Sequence, residues 1–149
     1  MTYDHKANLA VIELLAETFP RCFFVFERRR RPLKLGIHGD VLAALDGAIT
    51  KEECATALRL YCSNASYLKA SIEGAPRIDL NGNAAGSVST EEAANAKQRL
   101  AQREAKHQRR REALAKEKAV AERKARNAGR ISLAGLRAAA AARRAMAGV

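Results

Sequence analysis

Three thiols and three imidazoles are the side chains here most often recruited for metal binding or nucleophilic attack, and their spacing supports neither. Cys22, Cys54 and Cys62 form no CxxC pair, and His5, His38 and His107 lie far apart in the chain. No phosphate loop and no spaced nucleophile–base pair occurs, so neither Cys54 nor Cys62 has local support as a nucleophile. An enzyme is not expected, nor is a metal or other cofactor. An odd number of cysteines with no complete disulfide set fits a reduced, cytoplasmic protein.

Cationic and hydrogen-bonding groups are the more promising chemistry. Arg28–Arg31 is a four-residue basic run that reads as an exposed loop, and Pro32 pushes Arg31 towards an extended conformation. Arg31 and Lys34 therefore flank a rigid turn, placed either to hold phosphate or simply as a solvated charge cluster. In Ala57-Leu58-Arg59-Leu60-Tyr61 the leucines supply core and Arg59 points away, towards a phosphate or an ion pair with Glu52 or Glu53. Ser63 and Asn64 read as caps of a following helix, whose free amides suit a phosphate or a terminal ribose. Tyr67 is either a base-stacking platform or a core tyrosine of that helix. Arg77 precedes Ile78 on a strand, and alternation turns it outward.

Helices and one hairpin must position these groups. Residues 7–18 carry Leu9, Ile12, Leu15 and Ala16 at helical spacing, and Phe19-Pro20 ends that run. Cys22–Phe26 is a short apolar segment, a strand or an extended piece of core. A helix is expected over Asp40–Leu45, and another from the capping box Thr50-Lys51-Glu52-Glu53 to about Tyr61. A third starts at Ser63–Ser66 and carries Tyr67, Leu68 and Ile72. Pro76–Leu80 and Ala84–Val88 flank the turn chemistry of Asn81-Gly82-Asn83, which predicts a β-hairpin. A second capping box, Ser89-Thr90-Glu91-Glu92, opens a long helix expected to stop at Asn127-Ala128-Gly129. A weakly amphipathic helix capped by Ser132 would follow.

The formal net charge of +11 is unevenly spread. Residues 1–90 hold 11 Lys/Arg against 10 Asp/Glu, and the remainder 16 against 6. A nearly neutral folded part followed by a cationic appendage fits a polyanionic partner. The appendage lacks the Trp/Phe/Leu face of an interfacial membrane helix, which favours nucleic acid over a membrane. Arg109, Arg110 and Arg111 within it are suited to phosphate contact without sequence selectivity, or else to keeping a helix soluble.

Five blocks resemble the ProQ/FinO family, in that family's order and spacing: Phe19–Phe23, Arg31–Ile37, Ala57–Tyr61, Ser63 through Leu68, and Gly74–Asn83. The likeness spans about residues 7–100. Two basic positions of the enteric pattern are replaced here by Ala55 and Ser66, while Arg28–Arg30 add charge elsewhere. The resemblance implies a predominantly helical α+β domain over residues 1–100, with a basic helical extension at 101–128 and a basic tail at 129–149. It implies an RNA chaperone that binds terminator-like hairpins with single-stranded 3′ ends, with structured small RNAs and mRNA 3′ ends as partners. RNA contacts are then expected from Arg31, Lys34, Arg59, Ser63, Asn64, Tyr67 and Arg77. The alternative is a helical adaptor or DNA-binding protein using the long helix as a coiled coil. Sparse heptad hydrophobics argue against that pairing, and a monomer is expected.

Overall fold

The computed structural model describes residues 4–148, and the chain divides into two compact units, Met1–Arg103 and Glu104–Val149. In the first unit, α1 (His5–Thr18) starts where the Asp4 carboxylate accepts from the Lys6 and Ala7 amides. This satisfies two of the donors that a helix start leaves open. Ile12 and Leu15 are buried as expected, but Leu9 is 41% exposed and Asn8 takes its place against the core. The apolar stripe is thus narrower than the spacing suggested. Cys22–Phe26 forms no strand: Cys22 and Phe23 turn into the core, whereas Val25 and Phe26 face outward. A single 3-10 turn (Glu27–Arg29) follows.

Helix α2 (Ile37–Leu45) begins at Ile37 rather than Asp40, because Gly36 adopts a left-handed conformation that turns the chain directly into it. Helix α3 (Lys51–Cys62) has the capping box read from its sequence. Thr50 Oγ1 accepts from the Glu53 amide at 3.2 Å, and the Glu53 carboxylate accepts from the Thr50 amide at 2.8 Å. The buried face of α3 is Cys54, Ala57, Leu58 and Tyr61, the i, i+3, i+4, i+7 pattern of a helix lying on a core. It packs against both α1 and α2. Phe23, Leu15, Val41, Cys22, Cys54 and Tyr61 are fully enclosed at the centre, and large apolar side chains there each contribute about 1.5–3 kcal/mol.

Helix α4 (Ala65–Ala70) is short, and Ile72 lies beyond its end with its side chain exposed. The hairpin follows as β1 (Pro76–Ile78) and β2 (Ala84–Ser87), antiparallel, with a register shift between Pro76 and Ile78. A third segment joins β1 in parallel at Leu33: Ile78 donates its amide to Pro32 O at 3.0 Å, and Lys34 donates to Ile78 O at 2.9 Å. That pairing anchors the Arg31–Lys34 turn to the hairpin.

At the hairpin tip Asp79 Oδ1 accepts from the Asn81 and Asn83 amides, each at 2.9 Å. Gly82 there has φ +79°, and a Cβ on it would stand 2.9 Å from Arg21 Cβ. Gly82→Ala should therefore cost about 2 kcal/mol, from left-handed strain and the clash together. An unchanged urea midpoint would contradict that packing.

Helix α5 (Thr90–Ala147) opens with the expected second box: Ser89 Oγ accepts from the Glu92 amide, and Glu92 accepts from the Ser89 amide. It does not stop at Gly129, and Ser132 is an interior helical residue rather than a cap. Gly129 lacks the positive φ of a helix stop. One mid-helix glycine costs only about 1 kcal/mol, and the neighbouring Ala, Arg and Leu residues favour continuation. In the second unit every described residue is exposed. No helix among the described residues is long and apolar enough to cross a membrane.

Candidate nucleic-acid interface

Of the expected site residues, Tyr67 and Arg77 meet at the Leu33 peptide, and both are buried. Tyr67 is only 8% exposed, packs edge-on to Tyr61 at 6.0 Å, and its hydroxyl accepts from the Leu33 amide at 3.0 Å. Too little of its ring is open for a base to stack, so the core reading of Tyr67 replaces the stacking one. Arg77 is likewise 9% exposed rather than outward. Its Nη1 donates to Leu33 O at 2.8 Å and its Nη2 to Glu92 Oε2 at 2.8 Å. Cover on the second face of the strand is the reason: Glu92 at the start of α5 and the Leu33 peptide enclose Arg77, so Arg77 and Ile78 are both buried.

Tyr67 and Arg77 thus grip Leu33 from both sides, one at its N–H and the other at its carbonyl. Their effect is to fix the turn that carries Arg31 and Lys34. Arg31 is exposed. Lys34 is half-buried and pairs with Asp40 of α2 at 2.8 Å, which raises its pKa above the ordinary lysine value. A lysine already paired with a carboxylate offers phosphate less than a free one does.

Sequence reasoning missed Arg30. Within a run of four arginines nothing distinguishes it, yet it is 8% exposed while Arg28, Arg29 and Arg31 are open. Its guanidinium lies 4.2 Å from the centroid of the Tyr61 ring and donates to Phe24 O and Tyr61 O, each at 3.3 Å. The Tyr61 hydroxyl accepts from the Phe24 amide at 3.1 Å. Cation–π attraction is strongest where water is excluded, so Arg30 ties the 3-10 turn to α3. Its open neighbours line a hollow of about 470 Å³ with Phe24.

At the α3–α4 corner the capping assignment is corrected. Asn64 is the N-cap of α4, accepting from the Ser66 amide at 2.8 Å, whereas Ser63 ends α3 and donates its hydroxyl to Leu60 O. Arg103 of α5 donates to Ser63 O at 3.1 Å, a second contact that the sequence did not suggest. Arg59 is exposed on α3 with no ion pair to Glu52 or Glu53. It lines a hollow of about 450 Å³ with His38, Lys51, Ala55 and Cys62, where α2 meets α3.

Burial pushes the Cys22 thiol up to about 12, with Asp79 adding to it, and raises Cys54 as well. Burial also raises Cys62, against the opposing influence of Tyr67, Arg99, Arg30 and Arg77. Protonated thiols are poor nucleophiles and poor metal ligands. No group of His, Cys, Asp and Glu side chains among the described residues could hold a metal ion.

Glu92 is held below the usual carboxylate range, first by the Ser89 amide and then by Arg77. A carboxylate with a depressed folded pKa stabilises above its unfolded value, and that stability is lost as pH falls through the folded value. Acidification through and below the carboxylate range should therefore loosen the Arg77 clamp. Denaturation midpoints against pH should fall less steeply for Glu92→Gln. Identical acid profiles would contradict the role given to Glu92.

Against known proteins, residues 5–113 match the model of the ProQ/FINO family. RNA chaperone ProQ of Haemophilus influenzae is 44% identical over 109 residues, covering 72% of this chain and 55% of that protein. The protein of the same name from Vibrio vulnificus is 41% identical over 113 residues, covering 74% and 54%. This chain spans about half the length of the curated relatives it matches. Among solved structures, a ProQ homolog from Legionella pneumophila superposes with a TM-score of 0.59 at 32% identity, over 67% of this chain and 85% of that one. A FinO-like RNA chaperone from Neisseria meningitidis gives 0.51 at 31%, over 62% and 93%. Matched in sequence over most of its length and in fold over about two thirds of it, the chain belongs to the ProQ/FinO family.

Proposed function

We propose that the chain is a cytoplasmic RNA-binding protein that holds the base of a terminator-like hairpin together with its unpaired 3′ end. It would shield that end from exonucleases and assist pairing with a second RNA, acting on small RNAs and mRNA 3′ ends in post-transcriptional regulation. The observation that carries this reading is the double grip on Leu33, which commits two buried side chains to presenting one cationic turn. Arg31, Lys34 and Arg59 are the proposed phosphate contacts of the domain, with Tyr67 and Arg77 acting behind the surface. Ser63 and Asn64 form the corner proposed for the RNA terminus, and Arg109–Arg111 supply contacts blind to sequence. A-form duplex is read by shape and phosphate, and a free end by its hydroxyls and unpaired bases. Binding and positioning, not bond making, are what this arrangement suits.

Residues 1–103 carry 14 Lys/Arg against 12 Asp/Glu, so selectivity in the domain has to come from a defined contact rather than bulk charge. Removing the 3′ tail of a hairpin, or phosphorylating its terminal hydroxyl, should weaken binding by about fivefold to tenfold, the worth of one good hydrogen bond. Exchanging stem base pairs should matter little. Competition binding with these RNAs checks the proposal. Equal affinity for blocked and free 3′ ends would leave a reader of duplex shape, and equal affinity for duplex DNA would favour the DNA-binding alternative.

A further inference from the structure

Burial of Tyr67 leaves the domain without its expected stacking surface, and among the described residues one aromatic elsewhere is open to solvent. Phe26 is 76% exposed, and its neighbour Val25 is also exposed. Large apolar side chains are usually withdrawn from water, so an exposed pair on a short turn is informative when charge surrounds it. Arg28 and Arg29 follow Phe26 closely, and Arg31 lies just beyond. All three are exposed, and none has an ion-pair partner among the described residues. Together with Phe24 and the buried Arg30 they line the hollow of about 470 Å³. Glu27 is the one opposing charge on the turn.

The segment is held from both sides. Arg29 and Arg30 donate their amides to Phe26 O and Glu27 O at 3.0 and 3.1 Å, closing the 3-10 turn. The Arg30 guanidinium and the Phe24 amide fasten it to Tyr61 of α3. The turn also packs against α4, the helix that Asn64 caps. A platform fixed in advance loses little entropy when a ligand settles on it.

We propose that Phe26 with Arg28, Arg29 and Arg31 forms a subsite for single-stranded RNA on the 3-10 turn, joined to the Leu33 turn through Arg31. One unpaired base stacks on the Phe26 ring, and the guanidinium groups take the phosphates on either side of it. Aromatic faces interleaved with cations bind unpaired strands because every base has a π-face and every linkage a charge. A duplex end lacks the splayed base, so it gains from the arginines alone. Arg30 is a positioning residue here and does not touch the RNA. The proposal rests on the RNA-binding reading given above and adds to it where an unpaired segment lies.

The test uses the full chain and two RNAs: a hairpin with unpaired extensions at both ends, and the same hairpin ending blunt. Phe26→Ala should weaken the extended hairpin by roughly fivefold to a hundredfold, the worth of one stacked base, and leave the blunt one unchanged. Phe26→Tyr should restore binding. The double variant R28Q/R29Q should weaken both RNAs and lower the salt dependence of each. Ultraviolet crosslinking should join Phe26 to an extension nucleotide. Equal effects of Phe26→Ala on the two RNAs, or no effect on either while the unmodified chain binds both, would overturn the subsite and leave the proposed function standing. Failure of the unmodified chain to bind either RNA would overturn both.

Discussion

Tyr67→Ala is expected to unfold much of the domain before any RNA is added, and Tyr67→Phe to leave it folded but looser at the Arg31–Lys34 turn. Removing the ring opens a cavity beside Tyr61 and the Leu33 segment, where large-to-small changes cost about 3–5 kcal/mol. A small domain holds roughly 5–15 kcal/mol in all, so this single change removes a large share of it. Tyr67→Phe keeps the packing but leaves the Leu33 amide without its acceptor. An unmade buried hydrogen bond costs about 1–3 kcal/mol. Thermal melting without RNA should rank the proteins as unmodified, then Phe, then Ala. RNA affinity of the Phe variant should fall by only a few-fold, because the turn shifts while keeping its cationic groups. A folded Tyr67→Ala protein with native melting and much weaker RNA binding would reverse this assignment and restore base stacking to Tyr67.

Much of the scaffold was legible because it rests on local chemistry. Both capping boxes, at Thr50–Glu53 and Ser89–Glu92, form as read, since each is a reciprocal pair of hydrogen bonds within four residues. The hairpin was readable from Asn81-Gly82-Asn83 for the same reason. The apolar face of α3 was readable because burial on a helix repeats with the helix. What stayed hidden depends on partners distant in sequence. Arg30 differs from Arg28, Arg29 and Arg31 chiefly through its ring and carbonyl contacts to Tyr61, which stands 31 residues away. A 3-10 turn has too few residues to show a burial period. Arg77 was placed outward by strand alternation, and that face is covered by Leu33 and Glu92, 44 and 15 residues away in the chain.

For the candidate site, the sequence showed which side chains have suitable chemistry but not which of them are buried. Tyr67 and Arg77 meet at one residue, Leu33, within the Arg31–Lys34 turn. A tyrosine and an arginine suit both a binding face and a buried clamp, because each has an apolar body and a polar tip. Composition cannot choose between those uses; burial does. Phe26 was passed over for the opposite reason: inside an apolar run it reads as core, and only the turn of the chain exposes it.

Ending the chain after Arg103 should weaken binding to all RNAs by roughly a hundredfold at low salt, with little change in which RNA is preferred. Residues 104–149 carry 13 Lys/Arg against four Asp/Glu, and none of the described ones is buried. Cationic side chains on such a helix displace counterions from whatever backbone they meet, which raises affinity without reading it. For every phosphate that the shortened protein no longer neutralises, the slope of log affinity against log salt should flatten by about 0.7–0.9. The cut belongs after Arg103 rather than at Leu100, because Arg103 donates to Ser63 O at the corner proposed for the 3′ end. The shortened protein should melt near the temperature of the full chain, since the buried apolar residues among those described all fall between Ile12 and Ala96. Replacing Arg109, Arg110 and Arg111 by glutamine in the full chain should weaken binding less, and again uniformly across RNAs. A shortened protein that binds as tightly as the full chain but no longer distinguishes tailed from blunt hairpins would assign selectivity to the basic helix. Arg31, Arg59 and the Ser63–Asn64 corner would then be left supplying affinity alone.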